Sequence, residues 1–221
     1  MNPAVAVMAK VPGAAPVKSR LHGSLTPEQA TLLYRCFLLD RLDGLCAVTA
    51  IHRVVAFTPA EARATMAALA PPGFRLVPQA GSDLGERLAN VLGGLLAEGH
   101  AGALAVDSDS PTLPMAYVGE AARLLAEDAA DLVLGPSDDG GYYLVGLRTP
   151  RPALFQDVPW STAAVLRVTL AKARVLGLRT HLLPPWFDVD TEADLRRLRR
   201  EMPADRGVAA RTRAFLTALY R

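Results

Sequence analysis

Ala103-Leu104-Ala105-Val106-Asp107-Ser108-Asp109-Ser110-Pro111 is an apolar run of strand length that ends abruptly in two carboxylates, hydroxyls and a proline. In an open α/β sheet, ligands bind just beyond the carboxyl ends of the strands. Two aspartates one residue apart at such an end can hold a hard divalent cation through oxygen. A nucleotide diphosphate needs such a cation to mask its charge. The same residues also suit a plain loop, in which Asp and Ser cap the next helix and Pro111 stops the strand. The rest of the chain separates these readings.

Upstream, Ala4-Val5-Ala6-Val7-Met8-Ala9 reads as a buried first strand. It runs into a loop rich in Pro, Gly and Ala that carries Lys10, Lys18 and Arg20. Paired cations just past the first strand are placed to clamp phosphates by charge-assisted hydrogen bonds; the plain alternative is a solvated loop. Neither a Walker A pattern nor GxGxxG is present, which disfavours a dinucleotide Rossmann site. Thr26-Pro27-Glu28-Gln29 is a capping box with proline at the first helical position. The helix it starts should run to about Leu42 and bury Leu32, Leu33, Cys36, Phe37 and Leu39.

Strands are expected over residues 52–57 and 74–78, with a helix over 61–69 between them. Leu84, Leu88, Val91, Leu92 and Leu95 share one helical face, so that helix begins near Ser82 or Asp83. A helix start opening from a glycine-bearing loop offers N–H groups to a base or phosphate; Asp83 is read as an ordinary N-cap. After the opening stretch come a helix over 114–125, a strand over 130–134 and a strand over 142–147. Asp138-Asp139-Gly140-Gly141 lies between those two strands. Its glycines imply an unusual backbone path or a close ligand approach. Ser161 or Thr162 should cap a helix over 163–176. A short strand over 180–183 leads to Asp188-Val189-Asp190, whose carboxylates share a side if the segment is extended. Thr191 with Asp194 resembles a capping start for 192–201, and 206–221 reads as a final amphipathic helix.

The 221 residues suit one domain spanning 1–221, and 51% hydrophobic with 21% charged residues describes a core-forming chain. A net charge of +2 excludes the broad basic surface of sequence-independent nucleic-acid binding. Cys36 and Cys46 form no metal spacing and are expected as small buried hydrophobes; four scattered histidines give no zinc site or triad. No signal peptide or membrane span is visible, and a cytoplasmic protein without membrane contact is expected. Alternating strands and helices imply a mainly parallel sheet. Right-handed crossovers then bring four polar strand exits to one cleft: Lys18/Arg20, Asp107/Asp109, Asp139 and Asp188/Asp190. Cations plus paired carboxylates, without a nucleophile partner, fit metal-assisted transfer of a nucleotide-linked group.

Several stretches together resemble the DUF2064 family. They are Ala9-Lys10-Val11-Pro12-Gly13 through Lys18-Ser19-Arg20-Leu21, Asp83-Leu84-Gly85-Glu86-Arg87, Ser108-Asp109-Ser110-Pro111-Thr112-Leu113, Gly135-Pro136 with Asp139-Gly140-Gly141-Tyr142-Tyr143-Leu144, Trp160-Ser161-Thr162 and Asp188-Val189-Asp190-Thr191-Glu192-Ala193-Asp194-Leu195. Family members are described as glycosyltransferase-like, of the GT-A, nucleotide-diphospho-sugar transferase superfamily, and some as arsenosugar-biosynthesis glycosyltransferases. A more distant likeness is to phospholactate guanylyltransferases, through the Lys-Ser-Arg-Leu loop and the late aspartates. The resemblance implies a three-layer α/β/α sandwich with a mainly parallel mixed sheet, Rossmann-like in character.

It further implies metal ligation by Asp109, Asp188 and Asp190, with Asp107 a fourth member standing where the family commonly has glycine. Ser19 stands where threonine is common, and Asp138 is an extra carboxylate. Lys10, Gly13, Lys18, Arg20, Gly85, Arg87 and Ser108 would bind the nucleotide and its phosphates. Gly140, Gly141, Tyr142, Trp160, Ser161 and Thr162 would line the substrate pocket. Asp139, Lys18 and Arg20 would act in catalysis, with Mg²⁺ or Mn²⁺ as cofactor. Two transferase readings stay open. One is a glycosyltransferase moving a sugar from a nucleotide sugar to a small-molecule acceptor. The other is a nucleotidyltransferase joining NMP from an NTP to a small phosphorylated or carboxylated substrate, releasing pyrophosphate. The intact set of aspartates and cations argues against a degenerate, non-enzymatic binding protein. A monomer or homodimer is expected.

Overall fold

The structure is a computed structural model and describes residues 1–220. Among these, seven strands form one sheet: β1 (Ala4–Lys10), β2 (His52–Thr58), β3 (Phe74–Pro78), β4 (Ala103–Val106), β5 (Leu132–Pro136), β6 (Tyr142–Leu147) and β7 (Thr180–Leu182). Their order is β3-β2-β1-β4-β6-β5-β7. β1 pairs in parallel with β2 and β4, and β2 with β3. β6 is antiparallel to both neighbours, which returns β5 and β7 to the common direction. The carboxyl ends of six strands therefore share one edge. Strand order reverses between β1 and β4, the kind of switch point where a crevice opens.

The alternation in β1 sorts its side chains between two faces. Val5 and Val7 pack with Leu38, Leu42, Val118 and Leu125. These come from α1 (Pro27–Cys46) and α4 (Met115–Ala126). Ala4 and Ala6 face Leu88, Leu92 and Ala173, from α3 (Leu84–Ala97) and α5 (Val165–Val175). Two helical layers thus enclose the sheet, giving the expected three-layer α/β/α sandwich. Between β2 and β3, Met66 of α2 (Arg63–Leu69) joins the first layer. A third apolar cluster joins Leu33 and Phe37 of α1 to Phe187 and Val189, and to α6 (Glu192–Arg200) and α7 (Ala210–Leu219).

The capping boxes at Thr26/Gln29 and Thr191/Asp194 form as the sequence implies. Other expectations are corrected. α1 continues to Cys46, because its sides are buried against both the sheet and the third cluster. Leu32 lies between those faces and is 51% exposed. Cys46, in the last turn, is exposed and Cys36 half-buried. Leu84 opens α3 beyond the sheet edge and is 45% exposed. α5 starts at Val165 without a side-chain cap. Thr162 Oγ1 instead donates to Pro159 O at 2.7 Å, and Ser161 has φ +63; the pair forms a turn ahead of the helix. No helix among the described residues is long and apolar enough to cross a membrane.

At the far edge, Arg179 ties β7 to the start of β5. Its Nη2 and Nε donate to Asp131 at 2.9 and 3.0 Å, and its Nη1 to Asp128 O at 2.7 Å. These hydrogen bonds hold the Asp131 carboxyl down at about 2, against an ordinary 3.8. A carboxylate with a depressed folded pKa stabilises the fold above its unfolded pKa, and the contribution fades as pH falls towards the folded value. Arg179→Ala is therefore expected to lower the melting temperature at neutral pH. The gap from wild type should close as pH drops from about 4 to about 2. Melting curves at low salt across that range check it; a gap that stays constant rules the ion pair out as its cause.

Candidate active site at the switch point

β4 ends at Val106, and the chain then turns sharply over residues 107–110. The turn is built on a buried arginine that sequence reasoning missed. Arg41 of α1 is 1% exposed. Its Nε donates to Asp107 O at 3.2 Å, and its Nη2 to Asp107 Oδ1 at 3.1 Å and Ser110 O at 2.5 Å. Ser110 Oγ donates to Asp107 Oδ2 at 2.5 Å. Burial pushes the Asp107 carboxyl up to about 7, with Arg41 opposing and Asp109 adding to the rise. Both oxygens of Asp107 are thus engaged by the chain itself. The Asp-x-Asp pattern divides in the structure: Asp107 anchors the turn, and Asp109 is the member left facing the other aspartates. The signal was an arginine on the inward stripe of α1, between Leu38 and Leu42.

Tyr34, also missed, joins the β1 and β4 exits. Its hydroxyl accepts from Lys10 N–H at 2.9 Å and lies 3.0 Å from Ser108 Oγ. Ser108, expected to contact nucleotide, is 5% exposed and turned towards that tyrosine.

The late aspartates arrive by backbone pairing. Trp186 N–H donates to Pro136 O and Asp138 N–H to Trp186 O, each at 3.0 Å; Val189 N–H then donates to Asp109 O at 3.0 Å. The segment is thereby laid across the β5 and β4 exits. Asp188 Oδ1 accepts from Ser137 Oγ at 3.0 Å. Burial, together with Asp139 and Asp190, raises the Asp188 carboxyl to about 6. Asp139 Oδ1 accepts from Gly141 N–H at 2.9 Å.

Lys18 closes the centre. Its Nζ lies 2.7 Å from Asp190 Oδ1 and 2.9 Å from Asp109 Oδ1, and its side chain is 3% exposed. Arg20 Nη1 approaches Asp190 Oδ2 at 3.8 Å. Burial works against the lysine's charge, but Asp109 and Asp190 outweigh it and lift its pKa above the ordinary value. At Asp190, burial is likewise outweighed by Lys18, and the carboxyl is held below its usual range. Lys18 has φ +50, a left-handed backbone that costs a non-glycine residue about 1–3 kcal/mol and persists where surrounding contacts impose it. Asp109 Oδ1 is buried, and the Lys18 ammonium is its close partner.

Two adjoining cavities open here. The first, about 490 Å³, is lined by Lys10, Lys18, Arg20, Gln79, Arg87 and Ser108, among others. The second, about 400 Å³, is lined by Asp139, Gly141, Tyr142, Trp160, Thr162 and Asp188, among others. They share Arg20, Leu84, Asp107, Asp109, Ser161 and Asp190. The four strand exits do converge. Tyr142 and Trp160 stand edge to face, 6.3 Å between centroids.

Three glycines fall elsewhere. A Cβ on Gly85 would meet Phe155 O at 2.5 Å and Trp160 Nε1 at 2.7 Å; this glycine lets Trp160 pack on α3 and lines neither cavity. Gly140, with φ +90, would set a Cβ 2.4 Å from Ala163 O, so its close approach is to protein. Gly13 is exposed and lines neither cavity. Among the described residues, no group of three or more His, Cys, Asp or Glu side chains is arranged to hold a metal ion. The Lys18 ammonium stands between Asp109 and Asp190, and Asp188 accepts from Ser137.

Removing one partner of a buried ion pair leaves the other uncompensated, at a cost of about 3–5 kcal/mol. Arg41→Ala should lose stability on that scale in urea unfolding, and Arg41→Ala/Asp107→Asn should recover part of it. Asp107→Asn alone closes the cycle, and single losses that simply add up in the double variant would show that the pair is not coupled.

No curated protein sequence matches the chain. Among solved structures it is similar to a Desulfovibrio desulfuricans G20 protein provisionally assigned as a nucleotide-diphospho-sugar transferase. That protein is 29% identical with a TM-score of 0.88, over 98% of this chain and 94% of that one. The fold alone is similar to two others. CMP:2-keto-3-deoxy-manno-octonic acid synthetase, solved with CTP, is 11% identical at a TM-score of 0.58, over 91% of this chain and 98% of that one. Rv0371c from Mycobacterium tuberculosis H37Rv, solved with manganese, is 18% identical at 0.50, over 89% and 97%. Residues 42–162 match the model of a family described as "Uncharacterized protein conserved in bacteria", and the chain belongs to this family, DUF2064.

Proposed function

We propose that the protein is a metal-assisted transferase that moves a sugar from a nucleotide sugar to a small-molecule acceptor. The observation that carries this reading is the pair of joined cavities with unlike charge. In the first, the four cations Lys10, Lys18, Arg20 and Arg87 outnumber the three aspartates shared with the second, which suits the nucleotide and its diphosphate. The second carries five carboxylates, Asp107, Asp109, Asp139, Asp188 and Asp190, against the single cation Arg20. A phosphorylated or carboxylated acceptor would meet like charge there. A neutral polyol finds carboxylate acceptors for its hydroxyls and the Trp160 and Tyr142 rings for its apolar face. The Desulfovibrio desulfuricans relative, by its assignment, supports a nucleotide-sugar donor.

The bond to be broken would lie at the residues both cavities share. Asp139 uses one oxygen on Gly141 N–H, which leaves the other for an acceptor hydroxyl. As general base it would take the hydroxyl proton while the acceptor oxygen bonds to the anomeric carbon and the nucleoside diphosphate departs with the former C–O electron pair. Arg20 and Arg87 would meet the charge developing on that diphosphate.

The donor chemistry fits a divalent cation, although the side chains are not gathered into a ligand group here. Asp109, Asp139, Asp188 and Asp190 supply hard carboxylate oxygens suited to Mg²⁺ or Mn²⁺, and among the described residues Asp139 and Asp188 form no ion pair. Asp109, Asp188 and Asp190 would hold it. When bound, it would neutralise the leaving diphosphate. The manganese held by Rv0371c supports the same choice of ion. A second reading, nucleotidyl transfer from an NTP, draws on the cationic first cavity and on the CTP bound by a similar fold.

Thermal shift separates the two. A ligand at a hundred times its Kd stabilises by about 2.7 kcal/mol, about 5–10 °C for a chain of this size. A nucleotide sugar with Mn²⁺ or Mg²⁺ is expected to give that shift. Stabilisation by free NTPs and by no nucleotide sugar overturns the glycosyl reading. Asp139→Asn should keep the shift while kcat falls by about 10²–10⁴; an unchanged kcat removes Asp139 as the base.

A further inference from the structure

Lys18 lies at the centre of the acidic cluster, where a phosphate-binding lysine would be expected at its rim. Its ammonium is within 2.9 Å of one oxygen each from Asp109 and Asp190 and 5.9 Å from the centroid of the Phe37 ring. The Asp109 oxygen it approaches is buried, and the Lys18 ammonium is its close partner. An ammonium so placed fills the electrostatic minimum that a cation shared by those two carboxylates would need. Two positive centres a few ångströms apart in a half-buried site repel strongly, so the lysine and a divalent ion exclude one another. The loop that carries Lys18 is exposed at Gly13, Ala14 and Pro16, with room around Gly13. Lys18 itself lines the first cavity, so a swing of its side chain would carry the ammonium into that space.

We propose that Lys18 is the resident counter-ion of the Asp109–Asp190 pair in the ligand-free protein, and that a divalent cation must displace it. This rests on the metal-assisted reading above. Displacement frees an ammonium beside the first cavity, where the donor's phosphate oxygens would receive it. Metal alone then gains nothing for the lost ion pairs and binds weakly. Metal that arrives with a diphosphate supplies the lysine with a new partner. Lys18 thereby couples metal entry to donor entry.

The test uses the full chain and Mn²⁺ alone, with free Mn²⁺ read by its electron paramagnetic resonance signal. Wild type and Lys18→Arg are expected to bind weakly. Lys18→Met removes the competing charge and should bind at least about tenfold tighter. Lys18→Met/Asp109→Asn should lose that gain. Melting curves verify that each variant is folded. A second measurement needs no variant: amine acylation of the wild type, mapped by mass spectrometry, should leave Lys18 protected without metal and modified as Mn²⁺ saturates. Equal Mn²⁺ affinity for wild type and Lys18→Met overturns the proposal and leaves the transferase reading standing, as does a Lys18 that stays protected at saturating Mn²⁺. Failure of every variant to bind Mn²⁺, with or without a nucleoside diphosphate, overturns both.

Discussion

Two buried cations inside a ring of carboxylates hold the carboxyl edge of this sheet together. Five aspartates converge there, and a half-buried cluster of that charge would not stay folded without internal compensation. Arg41 neutralises Asp107 from below, through α1. Lys18 neutralises Asp109 and Asp190 from above, through the loop after β1. Among the described residues, Asp139 and Asp188 have no such partner. The excess of negative charge therefore collects on the β5–β6 side of the cleft, while Lys10 and Arg87 lie on the β1–β3 side. That asymmetry distinguishes the two cavities and gives the site a direction.

The topology explains why these groups meet. Parallel β1 and β4 are neighbours in space although nearly a hundred residues apart in sequence, and the order reverses between them. Their exits diverge and leave a crevice. The chain then returns late, past β7, and lays Trp186 to Asp190 along the same edge by backbone hydrogen bonds. The third apolar cluster, which includes Phe187 and Val189 with Leu33 and Phe37, fixes that segment at its alternate positions. Alternation then leaves Asp188 and Asp190 on the cleft side. Packing of the apolar residues thus sets the register of the acidic ones. The matched span 42–162 contains Asp109 and Asp139 but neither Lys18 nor Asp190, so the centre is assembled across its boundary.

Much of this was legible without coordinates. Continuous apolar runs ending in polar clusters marked β1 and β4, and the capping boxes at Thr26 and Thr191 marked two helix starts. What was not legible involved partners distant in sequence. Gly85 and Gly140 looked like residues making room for a ligand; they make room for Trp160 and Ala163. Asp107 looked like half of a metal motif; its oxygens belong to Arg41 and Ser110. Leu32 and Leu84 satisfied a helical period yet lie exposed. Periodicity locates a face, but only packing says whether anything covers its margin.

The order of strands and helices, the four polar strand exits and the residue types that could handle a nucleotide diphosphate follow from the chain alone, because local pattern and composition dictate them. The pairing of charges does not. Lys18 is a plausible phosphate clamp by its position after β1, and the fold places it against Asp109 and Asp190 instead. Coulomb interactions depend on distance through space, and the fold sets these distances by bringing together β1, β4 and a segment from late in the chain.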